Sequence, residues 1–157
     1  DSSLIFCEQE TPKLGFVGKI IEINPEVLNS FIDSDFIPVV APIGFGNDTT
    51  TYNINGDTVA GAIASSLNAD RLLLLTDVEG VKSKEKKLIT QLDPVQARNL
   101  IEEGTISDGM IPKVKTSLDA IKNGVRASVI IDGRVEHSCL LELFTSHGAG
   151  TLFRNSE

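Results

Sequence analysis

Four consecutive leucines, Leu72 to Leu75, stand between a charged residue and a polar loop. A near-continuous apolar run of this kind is typical of a strand that is buried on both faces of a parallel sheet. The run ends in Thr76-Asp77-Val78-Glu79-Gly80, where open α/β sheets place ligands. We therefore expect the leucine strand to be central in its sheet and almost fully buried.

Strand patterns alternate with helix patterns along the rest of the chain, which favours parallel pairing with helices on both faces of the sheet. We expect an α/β fold, a three-layer α/β/α sandwich with a mainly parallel central sheet, and a single compact unit over residues 1–157. The predicted strands cover residues 3–7, 19–23, 36–41, 51–54, 71–76, 127–131 and 148–153. The predicted helices begin near Pro25, Asp57, Pro94, Pro112 and His137, and the helix from Pro25 presents one apolar face.

Composition narrows the class of function. The net charge of −8 argues against nucleic acid or an anionic membrane surface as a partner. No apolar run approaches the length of a membrane span. Cys7 and Cys139 show neither metal-ligand nor disulfide spacing, so a reducing compartment is expected. The chain starts at Asp1 and its only methionine is Met110, which indicates a processed protein or part of a longer one.

The segment Tyr52 to Asp57 is a polar corner between a strand and a helix that is rich in small residues. We expect Gly56 to allow a sharp turn and Asp57 with Thr58 to cap the helix. Two amides, Asn53 and Asn55, and one carboxylate at such a corner indicate a ligand site. A capped helix with turn-forming asparagines explains these residues equally well.

A second polar turn, Ser107 to Lys113, leads into another predicted helix. A lysine near the positive end of a helix dipole is unfavourable unless it faces an anion such as a phosphate. An ordinary solvated lysine is the alternative interpretation of Lys113. No Walker A sequence, no G-x-G-x-x-G turn and no Cys/His cluster is present.

Six segments, in this order, resemble the acetylglutamate kinases of the amino acid kinase family, specifically their C-terminal half. The individual segments are weak, but their combination is specific and covers nearly the whole chain. They are residues 14–18, 37–44, 52–57 (Tyr-Asn-Ile-Asn-Gly-Asp), 75–80 (Leu-Thr-Asp-Val-Glu-Gly), 109–114 (Gly-Met-Ile-Pro-Lys-Val) and the pair 141–145 with 148–151.

The resemblance implies phosphorylation of the side-chain carboxylate of N-acetyl-L-glutamate by ATP, taken as its Mg²⁺ complex, in arginine biosynthesis. Lys113 would be a catalytic residue that stabilises the transferring phosphoryl group, and Asp57 would be catalytic by orienting lysines. Asn53 and Asn55 would bind the acyl substrate. The nucleotide would be bound by Thr76, Asp77, Val78, Glu79, Gly80, Val81, Lys82, Thr105, Ile106, Ser107, Gly109 and Met110.

The family's Gly-rich phosphate loop, a second catalytic lysine and a substrate-binding arginine would all precede Asp1. The resemblance therefore implies a nucleotide-binding part that is inactive on its own. It also implies a homo-oligomer when the protein is full length. The expected location is the cytoplasm, or the plastid stroma in a photosynthetic eukaryote.

A second implied function is feedback control by L-arginine. Its site would include His137, Glu142, Gly148 and Gly150, where Glu142 can pair with a guanidinium. A surface Glu142 beside chain-turning glycines is the alternative. Three further alternatives stay open at this stage: another amino acid kinase, such as a glutamate 5-kinase or aspartokinase; a non-catalytic arginine sensor; and a module that docks a regulator such as the PII protein.

Overall fold

The computed structural model describes residues 4–155, and these divide into two compact units that meet in sequence between Leu67 and Asn68. The first residue of the predicted N-terminal strand, Ser3, lies outside the described residues. Each unit has its own four-stranded sheet. That residues 1–157 form a single compact unit stays a prediction.

The first unit is built on a hairpin followed by two short strands. The elements are β1 (Ile5–Gln9), a 3₁₀ turn (Pro12–Leu14), β2 (Gly18–Ile23), α1 (Pro25–Ile32), β3 (Ile43–Phe45), β4 (Thr51–Asn53) and α2 (Gly56–Ser66). Strand β1 pairs with β2 in antiparallel fashion and with β3 in parallel, and β3 pairs with β4 in antiparallel fashion. The core cluster includes Ile5, Cys7, Tyr52 and Ile54.

The prediction of a buried strand over residues 36–41 is wrong. This segment forms no strand, and Ile37 and Val39 are more than nine-tenths exposed. Pro38 and Pro42 cannot donate to a sheet ladder, so pairing starts only at Ile43. On the predicted apolar face of α1, Leu28 is buried whereas Phe31 and Ile32 remain about half exposed.

The second unit combines parallel and antiparallel pairing. The elements are β5 (Arg71–Thr76), β6 (Gln91–Leu92), α3 (Pro94–Glu102), α4 (Met110–Lys122), β7 (Ala127–Asp132), α5 (Ser138–Phe144) and β8 (Gly150–Phe153). The strands lie in the order β5-β7-β8-β6, where β7 with β8 is the antiparallel pair. The sheets are therefore mixed, and three of the six strand pairings within residues 4–155 are parallel.

The prediction that Leu72 to Leu75 would be central is wrong, because β5 is an edge strand of its sheet. Leu72 and Leu74 are buried, but Leu75 is 50% exposed. The central strand is β7, which is buried at every position. β7 receives hydrogen-bonded neighbours on both sides, from β5 and β8, and helices α4 and α5 pack against it. The α/β class is confirmed.

Helix ends follow the local sequence signals. Asn24 caps α1 by accepting from the Glu26 N–H, and Asp93 with Gln96 forms a capping box on α3. Gly104 and Gly124 follow α3 and α4 with φ of 71° and 103°, a conformation that favours glycine. These ends fix where the loops of the candidate site begin.

Candidate functional site

The polar corner of the first unit lies between β4 and α2. Asn55 is the N-cap of α2, and its Oδ1 accepts from the Thr58 N–H at 3.1 Å. The predicted caps, Asp57 and Thr58, instead lie inside the first turn, and Gly56 is the first helical residue. Asn55 is better placed to cap the helix than Asp57 or Thr58, because an N-cap side chain accepts from the N–H two or three residues later, here that of Thr58. Asn53 and Asn55 are exposed at this corner, while Asp57 is half-buried.

Tyr52 holds the same corner to the core of the first unit. Its ring is buried, and its hydroxyl donates to Asp48 Oδ2 at 2.8 Å. The hydrogen bond to Asp48 raises the pKa of Tyr52 and keeps the phenol protonated as a donor. The N–H of Asn53 donates to the Phe16 carbonyl at 2.9 Å, which fixes the backbone beside the predicted substrate-binding amide.

In the second unit, the loop from Asp77 to Gly80 follows the carboxyl end of β5. Thr76 pairs with Asp132 at the end of β7, and the Gly133 N–H donates to the Thr76 carbonyl at 2.8 Å. The chains of β5 and β7 therefore leave the sheet side by side, at the edge where α/β folds gather ligand-binding loops.

The Thr151 side chain fixes this loop from within the core. Its hydroxyl is fully buried, accepts from the Val81 N–H at 2.8 Å and donates to the Ile89 carbonyl at 2.7 Å. A Cβ on Gly80 would lie 2.5 Å from the Thr151 hydroxyl, and Gly80 has φ of 144°. Both the space and the backbone conformation require glycine there, so the loop has one defined path.

The start of α4 lies at the same edge as this loop. The connection from α4 to β7 is short, and the helix packs against the strand, so the two run antiparallel. At about 1.5 Å per helical residue and 3.3 Å per strand residue, the two elements have similar lengths. The N-terminus of α4 thus lies near Asp132, at the carboxyl ends of β5 and β7.

The α4 start has the features of an anion site. Gly109, the N-cap, provides no side-chain hydrogen bond to the first turn. The half-buried Lys113 follows at the fourth helical position. Just before the turn, the Thr105 hydroxyl is buried and has no hydrogen-bond partner among the described residues. A buried hydroxyl is normally paired, so Thr105 Oγ1 is a polar atom to which a ligand can hydrogen-bond.

Asp132 and Arg134, two charged residues at this edge, were not among the predicted site residues. Arg134 donates to Asp132 from its backbone N–H, Nε and Nη2 at 2.8–2.9 Å. These hydrogen bonds lower the pKa of Asp132 to about 2. Hydrogen bonding to Asp132 raises the pKa of Arg134, and the charge of nearby Asp77 adds to the effect. The available sequence signal was an acid and an arginine two residues apart at a strand end.

The four predicted arginine-site residues are only partly brought together. Glu142, Gly148 and Gly150 line a cavity of about 230 Å³ with Arg71 and His147. Glu142 is 7% exposed, which excludes the surface-residue alternative. His137 does not line this cavity; it is the N-cap of α5, and its Nε2 lies 3.2 Å from Glu136 Oε1.

Residues 4–155 contain no group of three or more His, Cys, Asp or Glu side chains arranged to hold a metal ion. None of the helices in that range is both long enough and apolar enough to cross a membrane. In the second unit, the candidate ligand groups are the loop amides, the Thr105 hydroxyl and the charged side chains at the edge of its sheet.

Similarity to known proteins agrees with the resemblance seen in the motifs. The chain is 56% identical over 154 residues to the acetylglutamate kinase of Ruegeria pomeroyi, covering 98% of this chain and 54% of that protein. It is 53% identical to the acetylglutamate kinase of Paracoccus denitrificans, covering 100% of this chain and 52% of that protein. The chain thus spans about half the length of the curated relatives it matches.

Solved structures with the same fold include an N-acetylglutamate synthase from Neisseria gonorrhoeae complexed with coenzyme A and L-arginine. It has a TM-score of 0.90 and 23% identity, covering 98% of this chain and 37% of that one. A carbamate kinase from Giardia lamblia bound to AMP-PNP has a TM-score of 0.68 and 18% identity, covering 97% of this chain and 52% of that one. At these identities the likeness concerns the fold.

The model of the amino acid kinase family matches residues 2–132, which include β1 to β7 and every predicted catalytic, substrate-binding and nucleotide-binding residue. With the shared fold and the ordered motifs, this match shows that the chain belongs to the amino acid kinase family.

Proposed function

We propose that this chain is the nucleotide-binding part of an acetylglutamate kinase, which transfers the γ-phosphoryl group of MgATP to the side-chain carboxylate of N-acetyl-L-glutamate. The observation that carries the proposal is the identity of 53–56% to acetylglutamate kinases over nearly the whole chain. The convergence of the β5 loop and the α4 start at one sheet edge supports it, since both were predicted to bind nucleotide.

The phosphates would lie against the start of α4. The helix dipole favours negative charge there, although the Met110 and Ile111 N–H groups donate to the Ser107 and Asp108 carbonyls and Pro112 has no N–H. Lys113 adds a full positive charge one turn into the helix. Phosphoryl transfer depends mainly on positioning and on neutralising charge as the group moves, so this arrangement suits the reaction. Because Lys113 is a compact cation, it would stabilise the oxygens of the transferring group.

The remainder of the nucleotide would be bound by the loop after β5 and by the segment before α4. The Thr105 hydroxyl supplies a buried partner for a polar group of the nucleotide. Lys82 is held 3.0 Å from Glu79, so its charge is partly compensated. The carbamate kinase with this fold binds AMP-PNP, an ATP analogue, which is consistent with a nucleotide here.

The corner of the first unit would provide the acyl-substrate contacts. Asn53 is the better candidate, because Asn55 already uses Oδ1 as the helix cap and can offer a ligand only its remaining amide donors. Asp57 would take the lysine-orienting role that the resemblance implies. Since the chain spans about half of its relatives, we expect it to bind nucleotide but to lack kinase activity alone.

A chimera tests this proposal. Residues 1–157 would replace the matching half of the Ruegeria pomeroyi relative, and the acyl phosphate product would be trapped with hydroxylamine. We expect MgATP-dependent product from N-acetyl-L-glutamate and none from L-glutamate or L-aspartate. The same chimera with Lys113→Ala is the matched control. A folded chimera that prefers L-glutamate or L-aspartate would support a different amino acid kinase.

A second candidate function is the binding of L-arginine in the Glu142 cavity. Glu142 is a nearly buried carboxylate on a cavity wall, which suits a guanidinium ligand. The N-acetylglutamate synthase of this fold was crystallised with L-arginine. Binding of the PII protein, homo-oligomer formation and a cytoplasmic location remain predictions from the resemblance.

A further inference from the structure

A second cavity lies at the end of the second sheet opposite to the proposed nucleotide loops. Its volume is about 730 Å³, and all of its lining residues belong to the second unit. It borders the first residues of β5 and β7, Arg71 and Ala127, and the residue after β8, Arg154. Because β5 has six residues at about 3.3 Å each, the cavity lies roughly 20 Å from the loop after β5. It is therefore separate from the proposed nucleotide site.

The cavity has an apolar floor and a positively charged rim. On the floor, Ile121, Val125 and Ala127 are 4%, 2% and 8% exposed. The charged lining residues are Asp70, Arg71, Arg126 and Arg154. Three positive charges thus face one negative charge, in a chain whose net charge is −8. The local charge favours an anion, against the sign of the whole chain.

Two of the three guanidinium groups have donors to offer a ligand. The Arg154 side chain makes no hydrogen bond or ion pair within residues 4–155. Arg126 Nη1 lies 3.3 Å from Asp70 Oδ1, but these side chains are 78% and 80% exposed, and an ion pair so exposed contributes little. Arg71 is different, because it already donates to Glu142. The ligand donors are therefore Arg126 and Arg154.

The sheet brings these two arginines to the same end. Ser128 of β7 pairs with Phe153 of β8 in antiparallel fashion. Arg126 lies two residues before that pair and Arg154 one residue after it, so both follow the same edge of the sheet. The Arg126 N–H donates to the Ala69 carbonyl at 3.3 Å, which fixes the backbone beneath the guanidinium. The two positive groups thus project from neighbouring, fixed backbone positions.

We propose that this cavity, which we call the arginine-rim cavity, binds a small organic molecule that carries two anionic groups. Its anionic groups would contact Arg126 and Arg154, and its carbon atoms would cover the apolar floor. A guanidinium binds carboxylate and phosphate oxygens with the same forked geometry, so either kind of anion fits. The cavity volume lies within the range of small-molecule sites, about 300–1,000 Å³. This inference is independent of the proposed kinase function.

Titration calorimetry of the 157-residue chain at low salt tests the class of ligand. Glutarate and glycerol 3-phosphate are the dianionic probes, one with carboxylates and one with a phosphate. Butyrate and glutaramide are matched controls, which carry one charge and none. We expect at least one dianion to bind, and both controls to bind about tenfold more weakly or less, since each loses a charge-assisted hydrogen bond. Binding of neither dianion, or equal binding of all four probes, overturns the proposal.

Substitutions on the rim should act with opposite signs. Arg126→Met and Arg154→Met should each weaken binding of the dianion about tenfold, whereas Asp70→Asn should tighten it by removing a competing carboxylate. Arg98→Met is the matched control, because Arg98 is an exposed arginine of α3 that does not border the cavity. If these arginines only offset the dipole at the end of α4, their replacement changes stability but not binding, which contradicts the proposal.

NMR locates the bound anion without relying on any variant. Addition of the dianion should shift the amide signals of residues 68–71, 124–127 and 152–155. Shifts confined to residues 76–82 would place the anion in the proposed nucleotide loop and overturn the proposal. Thermal unfolding checks that each variant is folded. ADP binding should be unchanged in Arg154→Met, so the arginine-rim cavity and the proposed nucleotide site are tested separately.

Discussion

Asp132 illustrates how one residue at a strand end becomes a fixed charge. Asp132 is 7% exposed, and its carboxylate receives three hydrogen bonds from Arg134, which hold its pKa at about 2 instead of 3.8. Because the pKa is lower in the folded protein, the stabilisation is complete above about pH 4 and is lost as the pH falls through about 2.

Asp132→Asn should therefore destabilise the chain at pH 7, and its difference from the wild type should shrink as the pH falls from about 4 to about 2. The measurement is the urea midpoint as a function of pH. Asp70→Asn, which removes an equal charge from an exposed pair, controls for net charge. A difference that does not change over this range would contradict a lowered pKa of Asp132 in the folded protein.

Lys113 should act on the transition state. In the chimera, Lys113→Ala should lower kcat by about 10²–10³, with a smaller change in KM for ATP, because a preorganised charge is lost where charge develops. Lys113→Arg should restore activity only in part, since a guanidinium has a different shape. Steady-state kinetics measures kcat and KM of these variants, with Lys115→Ala as the control because Lys115 is an exposed lysine on the same helix. Near-normal kcat in a folded Lys113→Ala chimera would make Lys113 an ordinary surface lysine.

At the scale of helices and strands, the sequence predicted where helices begin and end better than it predicted the order of strands in a sheet. Asn24, Asp93, Gly104 and Gly124 act through backbone groups within a few residues, so local sequence contains the signal. Strand order depends on pairing between distant segments. A run of leucines therefore indicated a strand correctly but placed it wrongly, because β7 takes the central position between β5 and β8.

The strand prediction for residues 36–41 was wrong for a related reason. Its β-branched and aromatic residues match a strand pattern, yet Pro38 removes one ladder donor and Pro42 follows directly. The exposed Phe36, Ile37 and Val39 instead line an apolar groove with α1. Composition described these side chains correctly, but it contains no information about which backbone groups find partners.

The hydrogen bond from the Val81 N–H to the Thr151 hydroxyl should stabilise the β5 loop against β8. Thr151→Val leaves the buried Val81 N–H without its acceptor, which should cost about 1–3 kcal/mol of unfolding free energy. It should also weaken ADP binding. Thr151→Ser retains the hydroxyl and should lose less of both. Urea unfolding and ADP titration measure these effects. If the Val and Ser variants behave alike, the Thr151 hydroxyl does not stabilise the β5 loop.

For the whole molecule, the resemblance predicted which residues belong to a site, and the structure adds how the nucleotide residues of the second unit are positioned. The loop after β5 and the start of α4 meet at one edge because α4 runs antiparallel to β7. Asp132, Arg134 and Thr151 were not among the predicted site residues, and the sequence offered only the spacing of an acid and an arginine at a strand end for the first two. Their roles arise from contacts between elements, not from a recognisable local motif.

Nucleotide binding by the chain itself is the most direct test of the central claim. Calorimetry at millimolar ADP should show weak binding to the 157-residue chain. Backbone amide NMR signals should shift for residues 76–82, 105–110 and Lys113, and should stay unchanged in the apolar groove of residues 36–41. No heat, or shifts that avoid these two loops, would contradict a nucleotide site at the carboxyl edge of β5 and β7.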